Sequence, residues 1–355
     1  MAVLKSLSSV LAAAALIVPG VLGFQLAPRD AISNDAYPFC NPATDNECIL
    51  NGKYLFPTLE FSLESSLGNA AFLQYLPTST FSLTQWTNNK MPQACYHWGA
   101  EYYKFNPREF IMYNVTFADC PQPFVVCYHS KAQKTITQIA TEISRIPVKL
   151  RQSTTAYLAF SDLQVDNPAY TDYIAAWSPD GIIMGRAQAY FPAALIHEVT
   201  HSMDRSILSP TKPNPWGFGT SFSESSTWIS AENADGYAIA AYGTKSHVEN
   251  FAEAGRAVML DAVYPGGLAA FTGNNPNLTQ ISNQLSTFKA AAASYYVTGG
   301  TCDLAVKFPY PTVLVDIPPA TPTITAGPTA TATPYGQCEF ILLFLFSPLS
   351  RCDSG

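Results

Sequence analysis

The chain has 355 residues, 48 % of them apolar and only 13 % charged, with a formal net charge of −7. That length suffices for a sizeable core, one large domain and a tail. Nineteen basic residues set against 26 acidic ones, with no run of Lys or Arg, exclude an electrostatic nucleic-acid binder.

The first residues, "MAVLKSLSSVLAAAALIVPGVLGF", combine one lysine, an apolar run from Val10 to Val18, a Pro19-Gly20 break and small residues around Gly23. This order predicts a secretory signal over residues 1–23, because the apolar run is too short to span a bilayer. No later apolar segment reaches spanning length, so the mature chain is expected outside the cell with no membrane span. Eight cysteines follow (Cys40, Cys48, Cys95, Cys120, Cys127, Cys302, Cys338 and Cys352), none in a CxxC pair. An even count in an exported chain points to disulfides rather than a cysteine metal site. Cys40 with Cys48, and Cys120 with Cys127, are close enough in sequence for local loops. Asn114-Val115-Thr116 and Asn277-Leu278-Thr279 fit the N-glycosylation pattern.

A compact domain is expected over residues 24–308. Its first part, 24–133, is rich in aromatics, prolines and turn residues and reads as short strands and loops stapled by disulfides. In Ala132 to Ile146, isoleucines at 136, 139, 143 and 146 fit an amphipathic helix ended before Pro147. "TAYLAF" and "GIIMGRAQAY" are strand-like. Pro192 then suits a first helical turn, and Leu195, Ile196, Val199, Met203 and Ile207 recur at helical spacing. Further helices are predicted over Ala231 to Tyr242, His247 to Ala262, and Gln280 to Tyr296. Residues 309–336 are Pro- and Thr-rich with almost no charge and read as an extended, O-glycosylated linker. Residues 337–355 form a short tail with Cys338 and Cys352.

The chemistry lies in "ALIHEVTHSMD", Ala194 to Asp204. On a helix, residues i and i+4 share a face, so His197 and His201 can aim imidazole nitrogens at one ion. Glu198 is then placed to take a proton from an attacking water, and zinc is the ion that suits two neutral imidazoles and a carboxylate. A third ligand must come from downstream. Asp235 in "ENADGY" is one candidate, similar to the aspartate ligand of deuterolysin-type aspzincins. Glu249 and Glu253, one turn apart on the helix from His247, are the others. Asp204 lies on the face of His201 and could hydrogen-bond a histidine or an arginine. His97 and His129 read as structural, and His247 as structural, exposed or an electrostatic helper.

"AYGTKSHVENFAEAGRAVM", Ala241 to Met259, resembles the segment of anthrax lethal factor-type zincins in which Tyr-Gly precedes a Glu-x-Phe-Ala-Glu-Ala helix. With the histidine helix, the match covers about 30 residues. It departs at Gly255, where that family tends to have a bulky apolar residue. The resemblance implies that His197, His201 and Glu249 bind zinc and that Glu198 is the general base. It also implies that Tyr242, seven residues before Glu249, steadies the oxyanion or protonates the leaving group. Glu253 is then left to orient a ligand imidazole. "PYGQC", at the end of the linker, resembles the opening of small fungal cellulose-binding modules, although the Gly-rich continuation is missing. The tail is therefore a candidate contact to cell-wall polysaccharide.

The resulting expectation is an α+β, disulfide-stabilised zincin-like domain: a secreted zinc metallopeptidase acting on a peptide or protein. The alternative is a non-catalytic cell-wall or spore-surface protein that keeps the zincin fold. The signal, cysteine framework and Thr/Pro linker resemble extracellular proteins of filamentous fungi, including those called conidiation-specific.

Overall fold

A computed structural model describes residues 48–56, 67–161, 175–177, 181–211 and 219–319. The expected signal, Cys40, residues 320–336 of the expected linker and the tail lie outside the described residues. The described residues up to Ile317 belong to one compact unit.

The strands are β1 (Tyr54–Phe56), β2 (Phe81–Gln85), β3 (Lys90–Pro92), β4 (Phe110–Phe117), β5 (Cys120–His129), β6 (Ala156–Phe160), β7 (Ala175–Trp177), β8 (Ile182–Arg186), β9 (Ala238–Ala240) and β10 (Leu314–Asp316). The helices are α1 (Leu67–Tyr75), α2 (Gln93–Tyr96), α3 (Ile136–Arg145), α4 (Val148–Arg151), α5 (Pro192–Arg205), α6 (Ser226–Asp235), α7 (His247–Val263), α8 (Gly267–Phe271) and α9 (Ser282–Ala292). The fold is mixed α+β. No described helix is long and apolar enough to cross a membrane.

Six strands form the main sheet in the order β2-β4-β5-β6-β8-β7. β5, β6 and β8 run parallel, while β2, β4 and β7 pair antiparallel with their neighbours. β6, "AYLAF", is buried at every position, as expected of a strand paired on both edges and covered on both faces. β5 shows the two faces most clearly. Phe124 and Val126 point into one core with α3, α5 and α7, while Val125 and Cys127 point into a second, with Met91, Tyr103, Phe105 and Ile317. The sheet is therefore sandwiched between a helical layer and a smaller aromatic layer.

Alternation also decides the disulfides. Cys120 and Cys127 are seven residues apart on β5, which puts them on opposite faces and about 23 Å apart at the usual strand rise. The expected local loop is thus corrected: Cys95 pairs with Cys127 in the aromatic layer, and Cys120 with Cys302 on the other side. Cys48 is also disulfide-bonded, to a partner outside the described residues. The Cys120–Cys302 bridge closes a loop of 182 residues. Replacing both with serine is expected to lower unfolding free energy by about 2–5 kcal/mol, read from the denaturant midpoint.

Other boundaries shift for local reasons. α3 starts at Ile136 rather than Ala132, because Thr135 and Gln138 form a reciprocal cap. The helix expected through Tyr242 ends at Asp235. Gly236 takes a left-handed conformation there (φ 74°), and the chain continues as β9, which pairs parallel with β1. The domain does not end near Phe308. β10, within the expected linker, pairs antiparallel with β3, and Lys90 meets Asp316 at 2.9 Å. α1, in a region read as strands and loops, packs Phe72 into the core, and Asn69 Oδ1 accepts a hydrogen bond from the free first-turn amide of Ala193. In this way α1 helps to fix where α5 begins.

Candidate metal centre

α5 starts with Pro192 at its first turn and is buried from Pro192 through Asp204, so it runs through the core. His197, Glu198 and His201 are consequently 2 %, 8 % and 5 % exposed. α7 packs against it. Ser246 caps α7 by accepting from the amide of Glu249 at 3.2 Å, which puts Glu249 in the first turn, where the helix dipole favours an anion. Gly255 sets the helix separation: a Cβ there would lie 2.5 Å from Thr200 Oγ1 and 2.6 Å from the Tyr296 hydroxyl. A bulky residue at 255 would push α7 away from the histidines, which accounts for the glycine at this departure from the lethal factor-type pattern.

Three side-chain atoms converge between the helices. His201 Nε2 lies 3.0 Å from His197 Nε2, and Glu249 Oε2 lies 3.0 Å from His197 Nε2 and 3.3 Å from His201 Nε2. Among the described residues, His197, His201 and Glu249 form the metal-capable cluster. Tetrahedral zinc with bonds of about 2.0–2.1 Å requires ligand atoms about 3.3 Å apart, close to these edges. His197 Nδ1 is 3.2 Å from Glu253 Oε1, so in a neutral ring a proton on Nδ1 faces that carboxylate and leaves the Nε2 lone pair toward the cluster. Atoms that all bring lone pairs to one point need a shared cation, whether a proton or a metal.

The surrounding charge has the same consequence. Ionised, Glu198, Glu249 and Glu253 leave two negative charges uncompensated by Arg256, which is 3.0 Å from Glu253. Burial and Arg256 oppose a charge on His197, yet Glu249, Glu253 and Glu198 outweigh them and raise its pKa to about 9. Burial likewise opposes ionisation of Glu249, but His201 and His197 hold it well below the usual carboxylate range. Burial raises Glu198. Tyr242 begins a short 3-10 turn, with its ring centroid 5.7 Å from that of His197. Burial, with Glu249 and Glu198 nearby, pushes its phenol up, so it remains a proton donor at neutral pH.

Asp235 is not brought to this cluster. Its oxygens accept from the backbone amides of Asn283 (3.0 Å) and Gln284 (2.8 Å) and from both side-chain amides, fixing the first turn of α9. Asp204 faces Ser223, accepting from its amide at 2.9 Å and its hydroxyl at 2.6 Å, and burial raises its pKa to about 6. His247 pairs with buried Glu232. His129 is buried between Phe105 and Phe110 beside Glu109, and His97 pairs with Glu101 at the surface. The Asn114 side chain accepts from the Trp86 indole at 2.9 Å and the Tyr310 hydroxyl at 2.8 Å, within β4. Asn277 lies in a partly buried 3-10 turn. Sequence reasoning passed over Arg256, although its spacing of seven from Glu249 and three from Glu253 puts it on the same helix face.

These features define a disulfide-linked α+β protein with a buried His-His-Glu cluster between two helices. Residues 60–303 match the family of conidiation-specific protein Con-13, and the chain belongs to that family. It is 26 % identical over 203 residues to conidiation-specific protein 13 of Neurospora crassa. That alignment covers 57 % of this chain and 56 % of the relative, so it spans about half of the relative's length. The cluster and its supporting residues all lie within the family match. No solved structure matches the chain.

Proposed function

We propose that this chain is a secreted zinc-dependent peptidase with a zincin-like catalytic core. The observation that carries the proposal is the triangle of His197 Nε2, His201 Nε2 and Glu249 Oε2, with Glu198 next to the first histidine on α5. These three residues would hold zinc, which when bound supplies a Lewis acid for a peptide carbonyl and lowers the pKa of water. Glu198 takes the proton of the attacking water and passes it to the leaving amine. The Tyr242 hydroxyl donates to the developing oxyanion. Glu253 holds the Nδ1 proton of His197 and keeps that ring aimed. β7, which ends the strand order among the described residues and packs beside α5, is where an extended peptide would pair. The disulfides Cys95–Cys127 and Cys120–Cys302 support an oxidising, extracellular compartment, as does the signal-like N-terminus.

The test is metal analysis of the purified full chain by mass spectrometry, with cleavage of a peptide library before and after chelation. About one zinc per chain is expected, with cleavage lost on chelation and restored by zinc. A protein that takes up no zinc even when refilled sinks the proposal. The family's conidiation-specific name favours a second reading, a non-catalytic spore or cell-wall protein. Bound zinc without cleavage of any library member would favour that reading.

A further inference from the structure

We infer that Arg256 is a positioning residue for this centre: it fixes Glu253 against His197 and thereby sets how firmly His197 holds a cation. The inference rests on the zinc-site reading above. Glu249, Glu253 and Arg256 follow one another at intervals of four and three, so they share the face of α7 turned toward α5. Arg256 Nη1 lies 3.0 Å from Glu253 Oε1 and 3.1 Å from Oε2. Oε1 is also the atom 3.2 Å from His197 Nδ1. The Glu253 carboxylate thus lies between the guanidinium, which donates to Oε2, and the imidazole, whose Nδ1 is beside Oε1. The Arg256 and Glu253 side chains are only 4 % and 1 % exposed.

A carboxylate this deeply buried needs a paired charge and fixed donors to stay in place. The guanidinium supplies the charge and, through Nη1, a donor to the carboxylate, and it stays charged at any working pH. With Glu253 fixed, the His197 Nδ1 proton has one acceptor, the tautomer is set, and Nε2 points at His201 and Glu249. Without Arg256, Glu253 can turn away and the His197 ring is free to rotate. Arg256 therefore acts on the cation through Glu253.

The test measures zinc affinity of the full chain by competition with a chromophoric chelator. The proteins are wild type, Arg256→Met, Glu253→Gln and the double variant, with thermal unfolding of the metal-free forms as the folding control. Each single variant is expected to weaken zinc binding roughly tenfold to a hundredfold. The double variant should be no weaker than Glu253→Gln alone, because both changes break one chain of contacts. Arg256→Lys should recover part of the loss, and cobalt-loaded Arg256→Met and Glu253→Gln should show the same shift in absorption. Unchanged zinc affinity in Arg256→Met overturns the inference, as does a loss that persists in full when Glu253→Gln is already present. If Arg256→Met does not fold, Arg256→Lys takes its place in the cycle, and its smaller loss must likewise vanish in the Glu253→Gln background. A wild type that binds no zinc overturns the zinc-site reading; a zinc-binding wild type with additive variants overturns this inference alone.

Discussion

Replacing Glu198 with glutamine is expected to lower peptide hydrolysis by a factor of about 10²–10⁴ while zinc stays bound. The two residues have nearly the same shape, so α5 should pack as before and only the base is removed. Glu198 stands outside the triangle of His197, His201 and Glu249, which is why metal content should not follow activity. Burial raises its carboxyl, moving it toward the range in which a general base works near neutral pH. The measurement is kcat/KM on a cleaved library peptide alongside zinc stoichiometry. An unchanged rate would remove Glu198 from the proposed mechanism, and lost zinc would reassign it as a ligand.

The histidine helix was legible because its evidence is local. Pro192, the apolar spacing and the interval of four between the histidines each concern a single helix, and α5 runs from Pro192 to Arg205. The stripe of Glu249 and Glu253 was legible for the same reason, as was α7. Contacts set by tertiary structure were not. The partners of Asp235 lie 48 and 49 residues downstream, so nothing near "ENADGY" distinguishes a helix-anchoring aspartate from a ligand. Cys120 and Cys302 are joined across 182 residues for the same kind of reason. Some local signals were present but underweighted. Gly236 marks the end of α6, and the apolar "TVLVDI" that yields β10 was masked by the prolines around it. Arg256 had the right spacing, but a lone arginine on a helix is ordinarily a surface residue.

The competing third ligands give the sharpest separation. Glu249→Ala is expected to weaken zinc binding by more than the roughly 10–100-fold typical of outer-shell changes, because it removes one corner of the triangle. In wild type, zinc at 1,000 times its Kd should add about 4 kcal/mol to unfolding free energy. In Glu249→Ala this gain should fall to about 1.4 kcal/mol or less at the same zinc concentration, because a site weakened about 100-fold sees only about ten times its Kd. Asp235→Ala should do the reverse. Removing its carboxylate leaves two backbone amides and the Asn283 side-chain amide at the start of α9 without this acceptor, while the Gln284 side chain keeps the Tyr237 carbonyl, for a cost of about 1–3 kcal/mol. The cost falls short of four full hydrogen bonds because the Asn283 donors are open to water, which replaces the lost acceptor, and Gln284 keeps a second one. Its zinc-dependent gain should remain intact. Thermal unfolding of both variants with and without zinc therefore divides a residue that holds the ion from one that holds the scaffold. If Asp235→Ala abolished the zinc-dependent gain and Glu249→Ala kept it, the aspartate would be the ligand. The capping of α9 would then have to give way when zinc binds, and the amides of Asn283 and Gln284 would lose their protection from hydrogen exchange on adding the metal.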